Sequence, residues 1–405
     1  MVANGSRRPV RVVVLSHTGE MGGGELALLR LCEAIDPRRA LVRVILFADG
    51  PLRARLEEAG IPVDIVALDE SVATIDRHSA GRMSGANLRR IALMAPFGVR
   101  LVRRLRRLRP DLIQTNTLKA DLIGVPAAIL AGRPLIWYVH DRISPDYLPA
   151  SMVSLIRRAA RVFPRRIIVN SFATADTLAP CPTTVVYPGF SPEQAASGPA
   201  RTTVDPPVVG MIGRISPTKG QMEFVRALPA VLREHPGVTA RIVGSAMFGA
   251  QGYLKSVRTE ATRLGLDGVI DWVEFLPDPR DELDRLSTFV HASPVPEPFG
   301  QVIVEAMIRG VPVVATRGGG ATEILSPRPP SAGGTPEHDS TLGLLVEPGD
   351  TDALARAICS MLADPAAAAH RAAAAWSSAT ARFAIARTAR TITEAWRDEV
   401  VRRSG

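Results

Sequence analysis

Short apolar runs rich in β-branched residues recur along the chain, each followed by a longer stretch with helical spacing. In the first half they are VRVVVLS (10–16), VRVILFA (42–48), VDIVAL (63–68), DLIQTN (111–116), PLIWYVH (134–140), RIIVNS (166–171) and TTVVYPG (183–189). Strands apolar at consecutive positions are buried on both faces, and their alternation with helices predicts a parallel sheet covered on both sides. SPEQAASGPARTTVDPP (191–207) interrupts the pattern with Pro, Ser, Gly and Ala and reads as a linker. The alternation then restarts with VVGMIGRIS (208–216), VTARIVGS (238–245), IDWVEFL (270–276), STFVHAS (287–293), VPVVATR (311–317) and LGLLVEP (342–348). The expected fold class is therefore α/β, two doubly wound Rossmann-like domains, with ligands beyond the carboxyl ends of the strands and in a cleft between the domains. Two domains also suit 405 residues, too many for one core. The polar, proline-rich insert 326–340 reads as a surface loop, and the Ala/Arg-rich tail from about 366 to 400 as helix.

Within this pattern PVPEPFGQVIVEAMIRG (294–310) stands out. Pro298 and Gly300 are helix-start signals, so Glu297 falls in the preceding loop and Glu305 in the second turn of a mostly apolar helix. A glutamate is expensive to place there unless it has a partner. Two carboxylates beside a helix amino terminus suit a ligand rich in hydroxyls or phosphates, and a capped helix with a salt-bridged Glu is the plainer alternative. GMIGRISPTKG ends a strand at Ile212, turns at Gly213 and carries Arg214 and Lys219 on a loop, two cations whose geometries fit a diphosphate. RGGGATEIL (317–325) places three glycines between strand and helix, where the backbone is expected to approach a ligand closely. In SHTGEMGGGELALLRL (16–31), Gly22, Gly23 and Gly24 open the first helix without the dinucleotide spacing, and no acidic ribose ligand ends the second strand. His140 ends a strand and is followed by Asp141 and Arg142, structural or facing the cleft. Asp350 and Asp352 mimic a metal-nucleotide pair but stand where a helix begins, so an N-cap is expected.

Composition then narrows the class. Hydrophobic content of 46% and charged content of 22% describe a soluble globular chain, and 5% aromatics argue against a nucleic-acid stacking surface. Cys32, Cys181 and Cys359 are odd in number and lack metal spacing, which points to a reducing compartment. No signal peptide or membrane-length apolar run is visible, so the expected location is cytoplasmic, with peripheral contact to the inner face of the membrane left open. The net charge of +9 comes almost wholly from arginine, with lysine only at 119, 219 and 255. RLVRRLRRLRP (100–110) and RRAARVFPRR (157–166) are either solvated helix faces or a basic surface for anionic lipid or an acidic substrate.

Together GGGE, GRISPTKG, PEPFGQVIVEAM, GGGATEI and GLLVEPGD, in this order over nearly the whole chain, resemble the retaining, GT-B-fold family-4 glycosyltransferases. The resemblance implies an acceptor-binding domain at 1–190, a linker at 191–207, a donor-binding domain at 208–380 and a helix at 381–405 crossing back toward the first domain. It implies a nucleotide-sugar donor, a sugar, lipid-linked or small-molecule acceptor, and no metal, cofactor or nucleic acid. By carry-over, the catalytic group would be His140, Glu297, Arg214 and Lys219. The donor would be held by Gly213, Arg214, Lys219, Glu297, Phe299, Gly300, Gln301 and Glu305. Gly22, Gly23, Gly24, Glu25 and Asn116 would line the acceptor side. The long insert 326–340, and His291, Ala292 and Ser293 in place of the commoner Pro-Ser, depart from the family pattern on the donor side. A GT-B-fold nucleotide-sugar epimerase is the alternative enzyme, and a basic binding protein the non-enzymatic one.

Overall fold

The computed structural model of the chain describes residues 8–68, 85–199, 204–247, 249–276, 278–326 and 339–404. Apolar residues at consecutive strand positions do what the pattern requires of them, feeding opposite sides of one sheet. In β1 (Val10–Ser16), Val13 and Leu15 enter one buried cluster while Val12 and Val14 enter the other. With β2 (Ala40–Leu46), β3 (Val63–Ile65), β4 (Leu112–Thr115), β5 (Leu135–Val139), β6 (Arg166–Val169) and β7 (Thr184–Val185), it forms a parallel seven-stranded sheet. The order is β3-β2-β1-β4-β5-β6-β7, so the direction of winding reverses between β1 and β4.

The second sheet follows the same logic. It comprises β8 (Val208–Ile212), β9 (Thr239–Val243), β10 (Ile270–Val273), β11 (Thr288–His291), β12 (Val313–Thr316), β13 (Asp339–Ser340) and β14 (Gly343–Val346). Its order is β10-β9-β8-β11-β12-β14-β13, with the reversal between β8 and β11 and only β13 antiparallel. Several strands stop short of their apolar runs. Residues 213–216 and 292–293 run past the ends of the strands into loops at the carboxyl edge, Ile215 still bridged to Ala246.

The chain divides into two compact units, Met1–Gly189 with Ile385–Gly405, and Phe190–Ala384. The boundary differs from the expected linker. Ala196 donates its amide to the Ile308 carbonyl and accepts from the Trp376 indole, so the start of 191–207 is part of the second unit. The expected break at 380/381 lies instead between the helices Pro365–Arg382 and Ile385–Ser404. The last helix completes the first unit: Trp396 is fully buried and donates to Gln114 Oε1 at 2.8 Å. A buried indole N–H needs such a partner, which a glutamine on β4 supplies.

Part of each arginine cluster is structural. In the helix Gly85–Leu108, Phe97, Leu101 and Leu105 are buried against the sheet. Arg104 grips Asp64 through Nε at 3.1 Å and a terminal nitrogen at 2.5 Å, and Arg100 and Arg106 donate to the carbonyls of Ala67 and Leu130. Arg157 in the second cluster donates to Thr177 and Ile143 carbonyls. No helix among the described residues is long and apolar enough to cross a membrane. The insert 326–340 falls, but for its ends, outside the described residues.

Candidate functional site

In the second unit the reversal point between β8 and β11 is occupied by Glu297, Lys219 and His291. Glu297, on the loop after β11, is buried, and its Oε1 accepts from Lys219 Nζ at 2.6 Å. His291 Nε2, at the end of β11, lies 3.3 Å from the same oxygen, without the alignment of a full hydrogen bond. Burial works against the charged form of Glu297, but the charges of Lys219 and His291 outweigh it and hold the carboxyl far below its ordinary range. The loops are tied to each other. Ser293 Oγ donates toward the Thr218 carbonyl at 2.5 Å and the Val295 carbonyl at 2.8 Å, linking the Lys219 loop to the Glu297 loop. Buried Gln221 accepts from the Ser216 amide and donates to the Arg214 carbonyl, which orders the turn carrying exposed Arg214. His291 and Ser293, read from sequence only as a departure from the family, are thus built into the site.

Gly300 adopts φ +105° as N-cap, and the helix Gln301–Ile308 places half-buried Glu305 at the start of its second turn. Phe299 is buried edge-on against Phe383, with ring centres 5.6 Å apart. Two of the three glycines after β12 pack against the chain's own backbone. A Cβ on Gly319 would lie 2.0 Å from the Glu297 carbonyl oxygen, and one on Gly320 2.1 Å from that of Phe299. The Gly320 amide donates to Glu297 O at 2.9 Å, and that of Gly318 to Thr322 Oγ1 at 2.7 Å. The glycines therefore let two backbones touch, fixing the Glu297 loop from behind. Gly320→Ala is expected to destabilise the second unit by about 2 kcal/mol through overpacking, read as a drop in melting temperature of roughly 4–8 °C.

The first unit carries its own cluster at the carboxyl ends of β1, β4 and β5. Gly22 caps the helix Gly23–Ala34, and the buried Glu25 side chain folds back to the amides of Gly22 and of Glu25 itself. A Cβ on Gly22 would meet Glu25 Oε2 at 2.7 Å, so glycine there leaves room for the fold-back. Burial pushes Glu25 up to about 7, and the negative charge of Asp141 adds to the rise. Asn116 Nδ2 donates to the Gly24 carbonyl at 3.2 Å, and its Oδ1 lies 3.2 Å from His140 Nε2. A carbonyl can only accept, so it fixes the Asn116 amide. That amide in turn places the His140 proton on Nε2 and leaves Nδ1 an acceptor. Burial lowers His140 to about 4, so the ring is neutral near pH 7.

Sequence reasoning missed Asp121. It is buried on the helix Leu118–Ala131, hydrogen-bonded to Thr115 Oγ1, and its Oδ2 has no hydrogen-bond partner among the described residues. Burial, with a smaller push from the charge of Asp141, raises its carboxyl well above the ordinary range. An acid in the first turn of a helix looks like a dipole partner in sequence; only the fold shows it buried against Thr115 at the end of β4.

Asp350 caps the helix Thr351–Ala363 through the Ala353 amide at 2.8 Å, the N-cap its position at a helix start leads one to expect. The three cysteines are free and buried. Contrary to their sequence spacing, Cys359 is brought together with Glu234 and His235, all three ligand atoms lying within 4.8 Å of one another. This group sits where the helix Gln221–Glu234 ends before β9, away from the carboxyl edge of the sheet.

Likeness to known proteins follows the same division. The family described as Glycosyltransferase Family 4 matches residues 21–194, and Glycosyl transferases group 1 matches residues 195–378. The structure of the Anabaena protein HepE in complex with UDP and glucose is similar with a TM-score of 0.80 and 30% identity, over 96% of this chain and 100% of that one. The D-inositol 3-phosphate glycosyltransferase of Kribbella flavida is 27% identical over 78% of this chain and 81% of that protein. A GDP-mannose-dependent alpha-(1-6)-phosphatidylinositol monomannoside mannosyltransferase of Mycolicibacterium smegmatis is 29% identical over 54% of this chain, which spans about half that relative's length (55%). With two reversed parallel sheets, a glutamate loop at the second reversal point and these matches along its length, the chain belongs to the family-4, group 1 glycosyltransferases of the GT-B fold.

Proposed function

We propose that the chain transfers a sugar from a nucleoside diphosphate sugar to an acceptor hydroxyl, with retention at the anomeric carbon and without a metal. The observation that carries this reading is buried Glu297, held ionised between Lys219 and His291 beside the amino end of the helix that bears Glu305. Breaking the anomeric bond leaves the bonding pair on the diphosphate and positive charge on the sugar ring. Lys219, Arg214 and the helix amino end stabilise the departing anion, which is the role a metal would otherwise fill. Glu297, with Phe299, Gly300 and Gln301, holds the sugar hydroxyls, and Glu305 those of the ribose. No carboxylate is aimed at the sugar as a nucleophile in this reading, so the acceptor enters on the face the diphosphate leaves and gives its proton to the leaving phosphate.

Gly22, Gly23, Gly24, Glu25, Asn116 and His140 form the acceptor side. A neutral His140 offers Nδ1 as a hydrogen-bond acceptor to an incoming hydroxyl. The UDP, glucose and UDP-glucose complexes of HepE support a nucleoside diphosphate hexose as donor. The acceptor is a sugar, a lipid-linked hydroxyl or a small molecule. Calorimetric titration with UDP-glucose and GDP-mannose tests the donor grip. Glu305→Ala is expected to weaken the preferred donor about 10- to 100-fold, with the melting temperature little changed. Transfer should persist in EDTA. Unaltered donor affinity in the variant overturns the Glu305 assignment, and activity lost in EDTA and restored by magnesium overturns the metal-free mechanism.

A further inference from the structure

The first unit exposes large apolar side chains at the edge of the sheet opposite its candidate site. Ile129 and Leu130, ending the helix Leu118–Ala131, are 60% and 58% exposed, and Val162 and Phe163, ending the helix Ala150–Val162, are 71% and 44% exposed. They are not scattered. Ile129 and Phe163 line one pocket of about 490 Å³, with Pro134 and Leu135 at the amino end of β5 and the guanidinium-bearing Arg133, Arg165 and Arg402 around it. Arg106 adds another guanidinium at the rim by donating to the Leu130 carbonyl at 2.7 Å. The acid in the lining, Glu399, is held by Arg166 at 3.1 Å and by Arg402 at 2.9 Å, so its charge is compensated. What remains is apolar surface ringed by net positive charge.

We propose that this surface docks the first unit on an anionic lipid bilayer, with Ile129, Leu130, Val162 and Phe163 entering the interface and Arg133 and Arg165 meeting headgroup phosphates. Exposed aliphatic and aromatic groups beside arginines match the apolar and charged layers of such a surface. A second copy of the chain would set these arginines against each other. A nucleic acid would use the charge and leave the aliphatic groups in water. The helix Gly85–Leu108, whose sequence suggested lipid contact, is a weaker candidate because Leu101 and Leu105 are buried and Arg104 is engaged by Asp64. Docking of this kind tethers the enzyme and leaves the carboxyl edge of the sheet, with Glu25, Asn116 and His140, turned from the lipid. It needs neither donor nor acceptor and stands apart from the transfer chemistry.

The test is sedimentation of the full chain with phosphatidylglycerol-containing vesicles and with pure phosphatidylcholine vesicles, at low and at physiological salt. Wild type is expected to bind the anionic vesicles selectively. Ile129→Ser with Phe163→Ser, and Arg133→Gln with Arg165→Gln, should each weaken binding about tenfold or more, with melting temperatures confirming the fold. The control pair Arg103→Gln with Arg107→Gln should weaken it far less. Wild-type indifference to anionic vesicles overturns the proposal. So does a control pair as damaging as the rim pairs, or retention of full binding by the Ile129 and Phe163 variant. Self-association or nucleic-acid binding through these residues, without lipid binding, overturns it equally.

Discussion

Lys219→Ala is expected to lower turnover about a hundred- to a thousandfold, the usual consequence of removing one preorganised stabiliser of the departing charge. The same change is expected to destabilise the second unit. Lys219 is the closest charge partner of a buried carboxylate, 2.6 Å away, and only His291 would remain beside Glu297. Stranding a buried charge costs a few kcal/mol, and partial exposure of the lysine reduces this to about 2 kcal/mol. The pH dependence identifies the cause. Glu297 is depressed below its ordinary value in the folded state, so its pairing adds stability above the unfolded carboxyl value and loses it as pH falls. The stability gap between wild type and Lys219→Ala should therefore be widest near neutral pH and should shrink in acid. Combining Lys219→Ala with Glu297→Gln removes the stranded charge. That double variant should recover much of the stability and none of the activity. Urea unfolding at neutral and acid pH, with steady-state kinetics, reads both effects; near-normal turnover in Lys219→Ala would remove the diphosphate role from this lysine.

The sequence shows the large features because they follow from period and punctuation. Continuous apolar runs could only be doubly covered strands, and Pro298 with Gly300 could only begin a helix, which separates Glu297 from Glu305 as the structure has them. What escaped reading depends on contacts between distant segments. His291 sits inside the run STFVHAS and marks only a departure from the family pattern there; only the return of the Glu297 loop brings it beside the Glu297 carboxylate. Ser293 reads as loop composition until its hydroxyl is seen linking Thr218 to Val295. Gly319 and Gly320 did signal close approach, but the partner is the chain's own backbone at 297–299. Arg100, Arg104 and Arg106 count as charge in the sequence, whereas in the fold they are spent on Asp64 and two carbonyls.

Glu25→Gln is expected to stabilise the first unit at mildly alkaline pH while impairing transfer to the acceptor. In the folded chain, burial and the nearby charge of Asp141 raise Glu25 from an ordinary 4.5 to about 7. The folded state therefore binds more protons than the unfolded state across that interval, and this carboxyl makes stability fall as pH rises from 4.5 through about 7. His140, lowered to about 4 from 6.5, has the opposite slope, adding stability as pH rises across its own interval. The two partly cancel in acid and leave Glu25 alone above pH 6.5. The glutamine amide of the variant would resemble the protonated acid, keep one oxygen for the amides of the helix start, and never ionise. Wild type and variant should thus have similar stability near pH 4 and differ by about 2 kcal/mol at pH 8, within the limit set by the shift. A residue that destabilises its own fold at working pH needs a use, and a carboxyl poised near 7 can accept a proton or hydrogen bond from an incoming hydroxyl. Donor binding, which the proposed function assigns to the second unit, should be unchanged in the variant while acceptor-dependent turnover falls. Parallel pH–stability profiles for the two proteins would show that Glu25 is not the titrating group. Unimpaired transfer would leave Glu25 a helix-capping residue and move the acceptor contact to Asn116 and His140.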